Sequence, residues 1–168
     1  QKPITDRQMK VNQKTFIKLA SQNKLASKFG ACVDVYDNYD NHKLVALYYG
    51  KENATCAVSP NGEIVSVTKS ADFPSNKIGK LFQIAIRNGG KWLNGFDTVL
   101  PTIYSKYGFK TVARLAFNSE FAPEGWNYNL FRKYNEGKPD VVFMKLTTKK
   151  VSEKSVDNYE KGEKLAKS

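Results

Sequence analysis

A chain of 168 residues, 40% of them hydrophobic and 26% charged, is long enough to bury roughly two-thirds of its unfolded surface around a core without covalent staples. Its two cysteines, Cys32 and Cys56, lie in apolar, alternating stretches and are too few for a disulfide framework. No run approaches the roughly 18 apolar residues of a membrane span, and the first residues lack the apolar block of a signal peptide, so the chain reads as soluble and cytoplasmic, with no membrane partner. The net charge of +11 is spread unevenly. Residues 1–28 carry seven bases against Asp6 alone, and residues 149–168 carry six lysines against four acids. The stretch between them is nearly balanced, so the basic ends read as solvated flanks before they read as a groove for nucleic acid.

In chain order, residues 1–14 read as a basic arm. Phe16, Ile17, Leu19 and Ala20 then recur at helical spacing behind a Thr15 cap, and Gly30 closes this helix. Four short apolar runs predict strands over Cys32–Tyr36, Leu44–Tyr49, Thr55–Val58 and Ile64–Thr68. Pro60-Asn61-Gly62 joins the last two as an antiparallel hairpin, because Asn-Gly accepts the positive φ that tight hairpins need. The acids Asp34, Asp37 and Asp40 lack calcium-loop spacing and read as a solvated loop. His42 stands in the same polar stretch as the single histidine, which gives no support to a catalytic triad or a zinc site, and no metal site is expected.

Past the break at Pro74, Ile78, Leu81, Phe82, Ala85 and Ile86 predict a helix over Asn76–Asn88 that stops at Gly89-Gly90. A strand over Lys91–Phe96, a helix over Thr98–Tyr107 with Gly108 as its left-handed cap, and strands over Thr111–Phe117 and Val141–Leu146 follow. The loop of residues 118–140 carries Phe121, Trp126 and Tyr128, suited to covering the core, shaping an acceptor pocket or stacking on bases. Residues 149–168 have few large apolar side chains and read as a frayed helix or disordered tail. The expectation is one α/β (α+β) domain over residues 15–148, a mixed and mostly antiparallel sheet flanked by helices.

This order of elements, over residues 15–146, resembles the GNAT family, the Gcn5-related N-acetyltransferases. Tyr104-Ser105-Lys106-Tyr107-Gly108-Phe109 is similar to the family's Y-x-x-x-G-F, and Gly89-Gly90-Lys91-Trp92-Leu93 resembles the turn into the strand before that helix. Gly137-Lys138-Pro139-Asp140 with the strand after it resembles a GNAT-like subgroup of phages and mobile elements. The resemblance implies central strands that splay apart to admit acetyl-coenzyme A. The pantetheine arm would then lie along the strand containing Val65 and Val67, and the diphosphate at the helix start near Asn76, where unpaired N–H groups and the helix dipole favour phosphate. Asn76 and Ile78 stand where the family's phosphate loop has glycines, with Gly79 one position away. Lys77 and Lys80 offer charge in place of part of that backbone cradle. Asp97 takes a position where the family often has a coenzyme-contacting Asn, although Asp is also a good helix N-cap.

Amine acylation needs a proton donor for the departing thiolate and a route for the amine's proton. The resemblance assigns the first role to Tyr104, whose phenol is protonated at neutral pH, and makes Glu63 a candidate base. The bland alternatives are that Tyr104 fills the core and that Glu63 completes a turn. The leading expectation is thus an N-acyltransferase moving an acetyl group to a small-molecule or protein amine. The alternatives are an inactive GNAT-shaped protein of phage or plasmid origin that binds a macromolecular partner, which Asn76 and Ile78 favour, or a nucleic-acid binder acting through the basic ends.

Overall fold

The computed structural model describes residues 6–168. They fall into two units, one running to Gly90 and the other from Lys91 to Ser168. Each unit carries its own four-stranded sheet flanked by helices, so the mixed, mostly antiparallel α+β class expected from the sequence is the class observed.

In the first unit, β1 (Asp6–Lys10), β2 (Lys43–Tyr49), β3 (Glu52–Val58) and β4 (Ile64–Lys69) form an antiparallel sheet in that order. Residues 6–10 of the arm read over 1–14 form strand β1 and its last two open a helix, while residues 1–5 lie outside the described residues. Helix α1 (Gln13–Ala26) starts three residues earlier than its apolar spacing shows, because Asn12, not Thr15, is the cap: its side-chain oxygen accepts the Thr15 N–H at 2.8 Å. Ala54 through Val58 are buried in succession, which requires cover on both faces of β3. Two helices, α1 and α2 (Ile78–Arg87), pack on that strand. The predicted strand over Cys32–Tyr36 is absent. A 3-10 turn at Gly30–Cys32 replaces its start, and the Lys24 ammonium holds the segment off the sheet by donating to the carbonyls of Gly30 (2.6 Å) and Val33 (2.5 Å). Lys24 is thereby spent inside the fold, which removes one charge from the basic flank.

The end of α2 follows the expectation closely. Gly89, at φ +91°, donates to the Ile86 carbonyl and Gly90 to the Ala85 carbonyl, the two-bond closure that satisfies the helix's last carbonyls.

The second unit holds β5 (Trp92–Phe96), α3 (Leu100–Ser105), β6 (Phe109–Leu115), β7 (Val141–Leu146), β8 (Lys154–Val156) and α4 (Tyr159–Lys167). Its sheet order is β5-β7-β6-β8, with β8 parallel to β6 and the other pairs antiparallel. Of the two readings of residues 149–168, a frayed helix or a disordered tail, the helix is the one observed, with the short strand β8 before it. Asn158 caps α4 by accepting the Lys161 N–H at 2.9 Å, Lys161 pairs with Asp157 at 3.0 Å, and the helix seats itself through small residues, Gly162 and Ala166. Search for large apolar side chains misses such a helix, because close approach is what its packing needs.

Cys56 is fully buried in β3, and burial pushes its thiol from the ordinary 9.0 up to about 12. An unfolded chain ionises this group first as pH rises, so the stability it lends is intact below about pH 9 and is lost between there and pH 12. We expect the urea midpoint of the wild type to fall more steeply from pH 8 to pH 10.5 than that of Cys56→Ala; parallel slopes would contradict the assignment.

Candidate functional site

The hairpin between β3 and β4 sets the first part of the site. The Gly62 N–H donates to the Ser59 carbonyl at 3.0 Å, with Gly62 at φ +87°, and the Ser59 N–H donates to the Glu63 carbonyl at 2.9 Å. Glu63 is thus fixed, half-buried, at the head of β4, its N–H donating to Ser59 Oγ at 3.0 Å.

Further along β4 the ladder slips. Thr55 pairs with Thr68 and Ala57 with Val65, so Ser66 and Val67 together face the one residue Cys56. Ser66 absorbs this bulge in the left-handed region, at φ +54°, a conformation that serine rarely adopts. Two one-way chains of hydrogen bonds hold it there. In the first, the Tyr36 N–H donates to Tyr39 Oη (3.0 Å), the Tyr39 hydroxyl to Ser66 Oγ (2.6 Å), and the Ser66 hydroxyl to the Asp34 carbonyl (2.7 Å). In the second, the Asn23 amide donates to Thr68 Oγ1 (2.9 Å), the Thr68 hydroxyl to Thr55 Oγ1 (2.6 Å), and the Thr55 hydroxyl to the Ser66 carbonyl (3.1 Å). The direction of each chain follows from its last donor, since a hydroxyl has one proton to give. The first chain runs through the Ser66 hydroxyl and the second ends on the Ser66 carbonyl, and the side chains of Asn23, Tyr39, Thr55, Ser66 and Thr68 are buried.

This is the feature that sequence reading missed. Apart from the Tyr36–Tyr39 bond, the links among Ser66, Tyr39, Thr55, Thr68, Asn23 and Asp34 join residues 11 to 45 apart, beyond any local pattern. Asp34, Asp37 and Asp40 are exposed, as their solvated-loop reading expects, but Tyr39 among them is 1% exposed and its ring meets Phe16 edge-on at 4.9 Å. Removing one hydroxyl from a buried chain leaves its neighbours unpaired. We therefore expect Tyr39→Phe to cost about 1–2 kcal/mol in a urea melt and Thr55→Val a similar amount; values near zero would show that water or a rearranged loop replaces the bonds.

The candidate cofactor residues of this unit fall on β4 and on the entry to α2. Val65 is buried with Phe16, Ala20, Tyr39 and Ala57, so its side chain belongs to the core and β4 offers only backbone there; Val67 is half-buried. β4 is the end strand of its sheet. After it, the Phe73 N–H donates to the Ser70 carbonyl at 3.0 Å, and a 3-10 turn at Ser75–Lys77 leads into α2. The start of α2 has no side-chain cap and no acid in its first turn, while Asn76 and Lys80 are exposed, Lys77 is half-buried and Gly79 is buried. The Lys77 ammonium lies 4.8 Å from the centre of the Tyr49 ring. A helix start with no side-chain cap and no acid in its own first turn, flanked by two lysines, suits an anion.

Asp97 and Tyr104 belong to the second unit. Asp97 does not cap α3: the cap position is Val99, with no side-chain bond, and the helix opens on Leu100 and Pro101. Its carboxylate instead accepts from Arg114 Nη1 at 2.7 Å, in a cluster that includes Asp140 (3.4 Å) and Glu153 (2.8 Å). Partial burial opposes the Arg114 charge, but the bonds and charges of Asp97 and Glu153 outweigh it and raise its pKa above the ordinary value. Asp97 is thus committed to joining the strand ends. Tyr104 is buried, at 7% exposure, on the last turn of the six-residue α3, followed by Gly108 at φ +97°.

The long loop divides its aromatic residues. Trp126 is buried and stacks on Phe131, whereas Phe121 is 79% exposed on a 3-10 turn at Ser119–Phe121. Among the described residues no group of three or more His, Cys, Asp or Glu side chains is placed to hold a metal ion, and no helix is long and apolar enough to cross a membrane.

No protein-family model matches the chain, and no curated protein matches it in sequence. Among solved structures it is similar to a protein of Klebsiella pneumoniae subsp. pneumoniae MGH 78578 proposed to be an acyl-CoA N-acyltransferase, with a TM-score of 0.47 and 12% identity over 86% of this chain and 98% of that one. It is also similar to a GNAT-family acetyltransferase of Staphylococcus aureus Mu50 (TM-score 0.44, 9% identity, 85% of this chain and 100% of that one). A third likeness is to N-acetylglutamate synthase of Neisseria gonorrhoeae in complex with coenzyme A and L-arginine (TM-score 0.44, 11% identity, 86% of this chain but 34% of that one). These values identify no residue and no ligand of this chain.

Proposed function

We propose that the chain is a GNAT-like N-acyltransferase that moves an acetyl group from acetyl-coenzyme A to an amine. The observation that carries this reading is the start of α2: an uncapped, acid-free helix end with Lys77 and Lys80 beside it, reached directly from the bulged end strand β4. The residues present suit the coenzyme, since a diphosphate is the kind of anion such an end attracts and an end strand offers backbone groups to an amide-bearing arm.

When bound, the coenzyme supplies a thioester-activated acyl group. Backbone N–H groups at the turn into α2 would donate to phosphate oxygens, aided by Lys77 and Lys80. The backbone at Val65 and Val67 pairs with amides, and the Ser66 bulge, pinned by its two chains, fixes where that backbone points. Glu63 is the candidate to receive the proton lost by the amine, and the family resemblance alone makes the Tyr104 hydroxyl the candidate proton donor to the departing sulfur.

Isothermal titration with acetyl-coenzyme A tests this directly. Saturable micromolar binding that weakens at least tenfold in Lys77→Ala/Lys80→Ala is expected, together with a kcat about a hundredfold lower in Tyr104→Phe at unchanged coenzyme affinity. No heat and no thermal shift at millimolar coenzyme would sink the reading. That outcome would favour the second one, a GNAT-shaped binding protein of phage or plasmid origin, which the exposed Asn76 side chain at a glycine position supports.

A further inference from the structure

We propose that the second unit carries a binding pocket for a small fused-ring aromatic molecule, independent of the acyl-transfer reading. Its floor is a row of apolar side chains across the end of the sheet. Phe96 pairs with Val141, Val141 with Leu115, and Leu115 with Val156, and residues so paired share one face. Helix α4 covers the same face further along, where Gly162 rests on Phe143 and Ala166 is buried. The helix begins only at Tyr159, so the last row is left beyond its end.

The space above that row is about 740 Å³, within the roughly 300–1,000 Å³ of pockets that hold small molecules. One wall is the start of α4, Asp157 to Tyr159, and the other is the segment from Ala116 to Ala122. Two observations argue for an aromatic occupant. Phe96, Phe117, Phe121 and Tyr159 all line the space, and aromatic pairs gain from offset or edge-to-face contact beyond the area they bury. Phe121 is 79% exposed at the mouth, yet it sits on a turn that Asn118 fixes by accepting the Glu120 N–H at 3.0 Å. The ring is held out on an ordered support.

Three polar side chains of the walls already have partners within the chain. Asn118 and Asn158 accept backbone N–H groups, and the Asp157 carboxylate takes the Lys161 ammonium at 3.0 Å. Recognition then falls to shape and ring contact, which suits an uncharged ring system.

Trp126 reports on the site without lining it, since its ring lies 4.7 Å from that of Phe96 and 5.8 Å from that of Phe117. The test titrates the full chain, without coenzyme, with 2-naphthol and with decahydro-2-naphthol as the aliphatic control, by ligand-observed NMR and Trp emission. We expect saturable 2-naphthol binding at one site, at least tenfold tighter than the control. Phe121→Ala should weaken it at least threefold. Ala116→Trp, a filling change at an exposed position, should weaken it at least tenfold, with unchanged circular dichroism in both variants. No saturation below millimolar probe, equal binding of the aliphatic control, or variants within twofold of wild type would overturn the proposal. None of these outcomes bears on acetyl-coenzyme A binding.

Discussion

Replacing Trp126 by alanine is expected to lower the stability of the second unit by about 3–5 kcal/mol, among the largest effects of any single truncation in the chain. The indole is 8% exposed, stacks on the fully buried Phe131 at 4.2 Å with the rings 8° from parallel, and lies 4.7 Å from Phe96. Its Nε1–H donates to the Gly137 carbonyl at 3.0 Å. Gly137 is itself tied to the spot: it sits at φ +87°, and a Cβ there would fall 2.4 Å from the Tyr128 carbonyl oxygen. Truncation therefore removes a stacked ring, opens a cavity over Phe131 and strands a carbonyl at once. Trp126→Phe keeps most of the area and loses the N–H, so about 1–2 kcal/mol is expected for it. Urea melts followed by far-ultraviolet circular dichroism separate the two, and limited proteolysis of Trp126→Ala should cut first between residues 118 and 140. A loss below about 1 kcal/mol for the alanine variant would mean that the loop is not anchored by this ring.

Much of this fold was legible because its elements carry their own local signals. Val45, Leu47, Cys56, Val58 and Ile64 mark strands by composition, Asn61-Gly62 marks the turn, and α2 shows its apolar face and its glycine stop. The errors share a cause, which is a tertiary contact standing in for a local signal. The alternation from Cys32 to Tyr36 looks like a strand, yet Lys24 captures two of its carbonyls and Tyr39 takes the Tyr36 N–H. The exposed residues of β1, from Arg7 to Lys10, have no apolar pattern, because an outer strand is held by its backbone.

The candidate site was legible only in part, for the same reason. Lys77, Gly79 and Lys80 could be placed at a helix start from spacing alone. Asp97 was read as a coenzyme contact or a helix cap, both inferred from its neighbours in sequence; Arg114, 17 residues away, binds the carboxylate. Ser66 gave no signal at all. A serine in a strand is ordinary, and only the convergence of two buried chains on it explains why it tolerates φ +54°.

The second large effect is expected at Gly162. A Cβ on this residue would fall 2.4–2.6 Å from three ring carbons of Phe143, which is fully buried in β7 and cannot swing into solvent. Alanine normally favours a helix over glycine by about 1 kcal/mol, so on propensity alone Gly162→Ala should stabilise α4. Overpacking opposes it at about 1–3 kcal/mol, and the buried ring leaves no cheap relief, so the balance falls on loss. Gly162→Leu should cost about 3 kcal/mol or lift α4 from the sheet, which would expose Ala166 and the Trp92 ring that Lys167 covers at 5.5 Å. The decisive measurement is a double-mutant cycle with Phe143→Leu. Shrinking the ring makes room for the new methyl, so Gly162→Ala should cost at least 1 kcal/mol less in that background than in the wild type. Additive losses would place the strain elsewhere, and a stabilised Gly162→Ala would show that α4 does not approach β7 as closely as its two small residues imply.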